Sequence, residues 1–240
     1  MRYKIIFSYN GKGYFGYQEQ VNKLTIAKVL NDTLTDILGE PVKVTPSGRT
    51  DTDVSAIAQV GHFDFDGVLP ANFVGYVNSK LPASIKLASC EKAPNFHARY
   101  DAKIKTYEYK FYVSFEPNAY FDTFAYHVKK CNVDKMVECL KYLVGTHDFS
   151  TFQASGSAVK DKVRTIYDAK IVADGNLYTF SITGNGFLYN MVRIIVGTLI
   201  NVGTKNLPDN YMQMVIESKN RKEAGPTVPA YPLVLKSVEY

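Results

Sequence analysis

Apolar residues at Ile26, Val29, Leu30, Leu34, Ile37 and Leu38 recur at the spacing of one helix face. Thr25 stands where an N-cap belongs and Gly39 where a left-handed stop belongs, so the pattern predicts a helix that starts at Ile26 and ends before Gly39. Val133, Met136, Val137, Leu140, Leu143 and Val144 predict a second helix, capped by Asn132 and ended by Gly145. Shorter helices are expected over Asn72–Ser79 and Asn210–Glu217. Alternating or β-rich runs predict strands over Tyr3–Tyr9, in the stretch that ends Gln59-Val-Gly-His-Phe-Asp-Phe65, over Ile85–Cys90, Tyr107–Val113 and Leu233–Tyr240. Asp174-Gly175 separates the runs Thr165–Val172 and Leu177–Thr183, a strong hairpin signal. Strands and helices mixed with a hairpin favour an α+β fold over a doubly wound parallel sheet.

One position breaks the apolar pattern. The run Phe187-Leu-Tyr-Asn-Met-Val-Arg-Ile-Ile-Val-Gly-Thr-Leu-Ile200 predicts another helix and carries a single charge, Arg193. Burying a guanidinium without a partner costs several kcal/mol. The best candidate for a fixed anion is Asp51, in the turn Pro46-Ser-Gly-Arg-Thr-Asp51. Taken alone that segment also fits an ordinary Asx-stabilised turn. A pairing with Arg193 would satisfy the buried cation and keep Asp51 ionised as a nucleophile.

Composition narrows the class. At 240 residues, 46% hydrophobic and 21% charged, the chain suits one large globular domain or two of ordinary size. Two halves are expected, 1–98 and 99–240. Three cysteines, Cys90, Cys131 and Cys139, without a CxxC, argue against a disulfide framework or a zinc site and fit a reducing compartment. The amino terminus lacks the features of a secretory signal and no segment reads as membrane-spanning, so a cytoplasmic protein is expected.

Residues 1–98 hold 10 Lys and Arg against 9 Asp and Glu, whereas residues 99–240 hold 18 against 14. In Arg99–Lys110 and Lys160–Tyr167 those cations interleave with aromatics, a pairing suited to a polyanion with exposed bases. A solvated strand face is the plainer explanation of the same composition.

Other chemistries lack support. Gly11-Lys-Gly-Tyr-Phe-Gly16 satisfies GxGxxG, but a dinucleotide site needs a helix directly after the glycines, and here helical periodicity begins only near Ile26. A loop reaching a large ligand, or a plain turn, fits better. His62, His97, His127 and His147 lack metal-ligand spacing, and neither HExxH nor GxSxG occurs. What is left is carboxylate chemistry, with no metal or cofactor expected.

Several segments together resemble the tRNA pseudouridine synthase A family, and the match spans nearly the whole chain. They are Tyr9–Gln18, Gly48-Arg-Thr-Asp51 with Gln59-Val-Gly-His-Phe63, Phe96-His-Ala-Arg99, Tyr107-Glu-Tyr109, Gly145-Thr-His-Asp-Phe149 and Phe187–Gly197. The resemblance implies an enzyme that isomerises uridine to pseudouridine at positions 38 to 40 of the tRNA anticodon arm, without a cofactor. It implies Asp51 as nucleophile, Arg193 as its salt-bridge partner, and Tyr107 against the target base and as the group that removes the C5 proton. Arg49, Arg99 and Phe187 would contact the flipped nucleotide or line its pocket. The implied fold is two ferredoxin-like or RRM-like α+β halves, with mixed, mainly antiparallel sheets side by side and a cleft between them. The implied assembly is a homodimer on tRNA.

The chain departs from the family pattern at Asp53, where Gly is usual, and at Ser55, where His is common. Tyr17 replaces a usual Trp, and Tyr231–Leu235 replaces a Gly-Leu-containing end. If position 53 has positive φ, an Asp there carries a modest backbone cost and sets a second carboxylate near Asp51. The second hypothesis is therefore a tRNA-binding module of the same fold whose catalysis is impaired; a nicotinamide oxidoreductase rests on Gly11–Gly16 alone.

Overall fold

The computed structural model describes residues 1–157, 159–205 and 207–240. In chain order the elements are β1 (Arg2–Tyr9), α1 (Ile26–Leu38), β2 (Thr45–Pro46), β3 (Ser55–Asp64), α2 (Phe73–Lys80), β4 (Ile85–Lys92), β5 (Ile104–Val113) and β6 (Tyr126–Val128). They continue with α3 (Val133–Cys139), β7 (Gly145–Asp148), β8 (Val163–Asp174), β9 (Leu177–Gly184), α4 (Met191–Thr204), α5 (Tyr211–Ser218) and β10 (Leu233–Glu239). The fold is α+β with mainly antiparallel strand pairing, as the mixture of periods predicts. Two compact units form, one of Met1–Lys103 with Val234–Tyr240 and one of Ile104–Leu233.

In the first unit the strands run β4-β1-β3-β10, and β2 adds to β3. β1 is antiparallel to both neighbours, with Ile5 opposite Gly61 on β3 and Cys90 on β4. Its strict alternation buries Tyr3, Ile5, Phe7 and Tyr9. α1 turns Ile26, Ala27, Leu30 and Leu34 to the core, each large apolar side chain there contributing about 1.5–3 kcal/mol. Both expected caps are present: Thr25 accepts the Lys28 N–H, and Gly39 takes φ +74°. β10 pairs parallel to β3 through Val234 opposite Ser55 and Leu235 opposite Ala56.

In the second unit β5, β9, β8 and β7 follow one another antiparallel, and β6 lies parallel to the end of β5. The β8–β9 hairpin closes one residue later than the dipeptide suggests. Asp174 pairs with Leu177, so Gly175 and Asn176 make the loop, and Gly175 alone takes positive φ, +59°. A glycine at the first of two loop residues is what a II′ turn demands. α3 is shorter than its periodicity predicts: Asn132 caps it by accepting the Lys135 N–H, but after Cys139 it tightens into a 3-10 turn over Leu140–Tyr142. Val137 and Val144 face solvent while Cys139 is buried. α4 is buried on nearly every side, with α3, α5 and the segment around Gly225 and Pro226 packed against it.

Candidate active site

In the first unit the turn that carries Asp51 is held by a buried polar network. Ser47 Oγ donates to Gln59 Oε1 at 2.7 Å, Gln59 Nε2 donates to the Gly48 carbonyl at 3.0 Å, and Tyr9 Oη lies 2.8 Å from Thr50 Oγ1. Ser47, Thr50, Tyr9 and Gln59 are all buried, so the residues on the amino-terminal side of Asp51 are pinned to β1 and β3. Burial pushes the Tyr9 phenol up to about 12, so at neutral pH it is a neutral hydrogen-bonding group. On the other side the Val54 N–H closes a turn on the Asp51 carbonyl at 3.1 Å. Asp51 itself is half-buried and Arg49 is exposed, so the turn presents one anion and one cation from a rigid base.

The glycine-rich loop is not free to swing. Tyr17 N–H donates to the Thr50 carbonyl at 3.0 Å, Asp53 N–H to the Tyr14 carbonyl at 3.2 Å, and Gly13 N–H to Asp53 Oδ1 at 3.0 Å. α1 begins only at Ile26, so no helix N-terminus follows the glycines and the dinucleotide reading fails on geometry. Asp53 adopts φ +63°, the left-handed conformation that the departure from Gly made a concern.

A histidine cluster backs another part of this unit. His62 Nδ1 accepts the Ala98 N–H at 3.1 Å and its ring lies 4.7 Å from that of His97, which stacks on Tyr100 at 4.1 Å. Burial, then the charges of Arg2 and His97, push His62 down to about 4. It is a neutral structural imidazole. Arg99 is exposed, and its N–H meets His97 Nδ1 at 3.2 Å, so its backbone is fixed while its side chain reaches solvent.

In the second unit Tyr107 stands on β5 opposite Ile182 of β9, half-buried, with the Phe187 ring edge-on at 5.2 Å. Phe187 comes from the loop between β9 and α4. Arg193, two residues into the first turn of α4 from Met191, donates from Nε to the Val228 carbonyl at 2.8 Å and from Nη1 to Asn190 Oδ1 at 2.6 Å. Tyr109 donates to the next carbonyl, Pro229, at 3.0 Å. Segment 228–229 therefore receives both β5 and α4 side chains. Because Tyr107 lies two residues before Tyr109, it shares the face of β5 that turns toward this segment.

Arg193 stands out in the sequence, but its tethers do not. Asn190 takes φ +58° at the start of α4, and its side chain serves the guanidinium instead of capping the helix. The Asn at three residues before the Arg is a usable signal, since that spacing puts both on one helix face. The Val228 carbonyl has no signature in sequence. Asp51 and Arg193 belong to different units, and their pairing is a proposal. Among the described residues no group of three or more His, Cys, Asp and Glu side chains is arranged to hold a metal ion. No helix among them is long and apolar enough to cross a membrane.

Residues 139–240 match the family model of tRNA pseudouridine synthases. Over 240 residues the chain is 41% identical to the tRNA pseudouridine synthase A of Clostridium acetobutylicum, covering 99% of this chain and 98% of that protein. It is 40% identical to the one named alike in Anoxybacillus flavithermus, covering 100% and 98%. The chain belongs to the tRNA pseudouridine synthase A family, a family of isomerases. A crystal structure of a Cbf5–Nop10–Gar1 complex is similar at a TM-score of 0.39 and 16% identity, over 82% of this chain and 45% of that one, a likeness too distant to carry an argument.

Proposed function

We propose that this chain isomerises uridine to pseudouridine in tRNA, at positions 38 to 40 of the anticodon arm, with Asp51 as the nucleophile. The observation that carries the reading is the full-length likeness to relatives that bear the name tRNA pseudouridine synthase A, 41% and 40% identical. The pinned turn around Asp51 supports the role of the carboxylate, because a nucleophile gains from a fixed attack geometry.

In the proposed reaction the target uridine is flipped from its stack, at a cost of a few kcal/mol, and its base meets Tyr107 and Phe187. The Asp51 carboxylate attacks C1′ of the ribose or C6 of the base, and the glycosidic C1′–N1 bond breaks. The uracil turns, C5 bonds to C1′ as the bond from Asp51 to C1′, or on the other route to C6, breaks and frees the carboxylate, the C5 proton leaves to Tyr107, and a proton returns to N1. No atom is gained or lost. Arg193 keeps Asp51 ionised, while Arg49 and Arg99 engage the RNA backbone and extruded nucleotide. A cytoplasmic homodimer belongs to the same reading, and sedimentation at micromolar concentration tests the dimer.

The test is incubation with unmodified tRNA, then carbodiimide labelling and primer extension. Stops one nucleotide to the 3′ side of positions 38 to 40 are expected with the natural chain and none with Asp51→Ala. Binding of tRNA without product by the natural chain would instead identify an impaired binding module.

A further inference from the structure

We propose that Asp53 is a positioning residue, a latch that fastens the glycine-rich loop 11–16 to the turn carrying Asp51 and so sets the nucleophile; the catalytic half of this rests on the function proposed above. Asp53 holds the loop at two points. Its N–H donates to the Tyr14 carbonyl at 3.2 Å, and its Oδ1 accepts the Gly13 N–H at 3.0 Å. Both depend on φ +63°, a conformation that Asp, Asn and Gly reach at low cost and most other side chains do not.

The loop answers with its own glycines. Gly11 lies so close to the turn that a Cβ there would stand 2.1 Å from the Val54 carbonyl oxygen, and its N–H donates to Ser55 Oγ at 3.0 Å. Gly16, at φ +80°, would set a Cβ 2.8 Å from the Thr50 carbonyl oxygen and 3.2 Å from the Asp51 carbonyl carbon. Residues 50, 53, 54 and 55 are thus gripped on both sides of Asp51. A Gly at position 53 keeps the backbone conformation and the Tyr14 bond but has nothing to offer the Gly13 N–H. The carboxylate that replaces it adds a charge-assisted hydrogen bond across 40 residues of sequence. Ser55 at its neighbouring departure supplies the second side-chain acceptor to the same loop.

The experiment compares the natural chain with Asp53→Gly and Asp53→Asn by amide exchange of residues 11–16 and by kcat and KM on unmodified tRNA. Gly suits the positive φ, so its variant folds, and Asn retains both an Oδ1 acceptor and the left-handed conformation. Asp53→Gly is expected to speed Gly13 exchange by roughly fivefold to tenfold and to lower kcat about threefold to tenfold at unchanged KM. Asp53→Asn is expected to stay within about twofold on both. Unchanged exchange in Asp53→Gly overturns the latch. Faster exchange with kcat unchanged or raised overturns the positioning role, as does an Asn variant that loses as much as Gly. If the natural chain makes no pseudouridine, the proposed function and the positioning role fall together, while exchange alone decides the latch.

Discussion

Arg193 has its Nε on the Val228 carbonyl and its Nη1 on Asn190, so its guanidinium plane is aimed by two neutral acceptors. Removing the charge and removing the aim are therefore separable. Arg193→Met should cut pseudouridine formation by about a hundredfold or more, and Asn190→Gly, which keeps the positive φ, by roughly fivefold to tenfold. Equal turnover in Arg193→Met and the natural chain would remove the ion-pair role proposed for it. His62 carries a pH prediction. Its imidazole, 4% exposed and pushed down to about 4, resists a proton that the unfolded chain accepts below its ordinary value of about 6.5. Stability should therefore fall as pH drops from about 6.5 to about 4 and lose nothing further from this group below that. The part due to His62 is about 3 kcal/mol at most. Urea midpoints at pH 7 and pH 4.5 check it, with His62→Gln expected to lose less than the natural chain. At this scale the turn that carries Asp51 was legible from its Pro, Gly and Asp, whereas the role of the carboxylate is a proposal. The conformation of Asp53 was legible only as a condition, since φ depends on what surrounds it.

Among the elements, capped boundaries were readable and close contacts between elements were not. Thr25, Gly39 and Asn132 each act on neighbours a few residues away, so their roles follow from local spacing. The 3-10 turn after α3 does not. At Gly203 a Cβ would stand 2.3 Å from Cys131 Sγ, so the segment entering α3 presses on α4 in a way that periodicity cannot express. The same holds at Gly197. An added Cβ there would meet the Pro226 carbonyl oxygen at 1.9 Å, and Gly225 N–H donates to Thr198 Oγ1 at 2.8 Å beside it. Gly197→Ala is expected to cost about 3 kcal/mol or more by forcing segment 224–229 off α4, lowering the melting temperature by roughly 5 °C or more. Because that segment presents the Val228 carbonyl to Arg193, activity measured well below the melting temperature should fall as well. A variant with natural melting temperature and turnover would show that the crossing yields without cost.

For the whole molecule, the last strand decides how the chain closes. β10 lies beyond every element of the second unit in sequence, yet it pairs with β3, buries Leu235 and sends Tyr240 Oη to the Ala98 carbonyl at 2.8 Å. Deleting Val234–Tyr240 should lower hydrogen-exchange protection in β3 and β1 while leaving that of the β8–β9 hairpin; equal protection in both would contradict the pairing's structural weight. The α+β class, the α1 boundaries, the hairpin and the family were determined by sequence alone, because helix period, caps and turn glycines act over a few residues and the family motifs are side-chain identities. Tertiary structure decided the rest: the return of β10, the latch between Asp53 and Gly13, and the seats of Arg193 and Tyr109 on the carbonyls of Val228 and Pro229. Those contacts join residues far apart, and most end on backbone groups, which are the same at nearly every position and so leave no mark in the order of the amino acids.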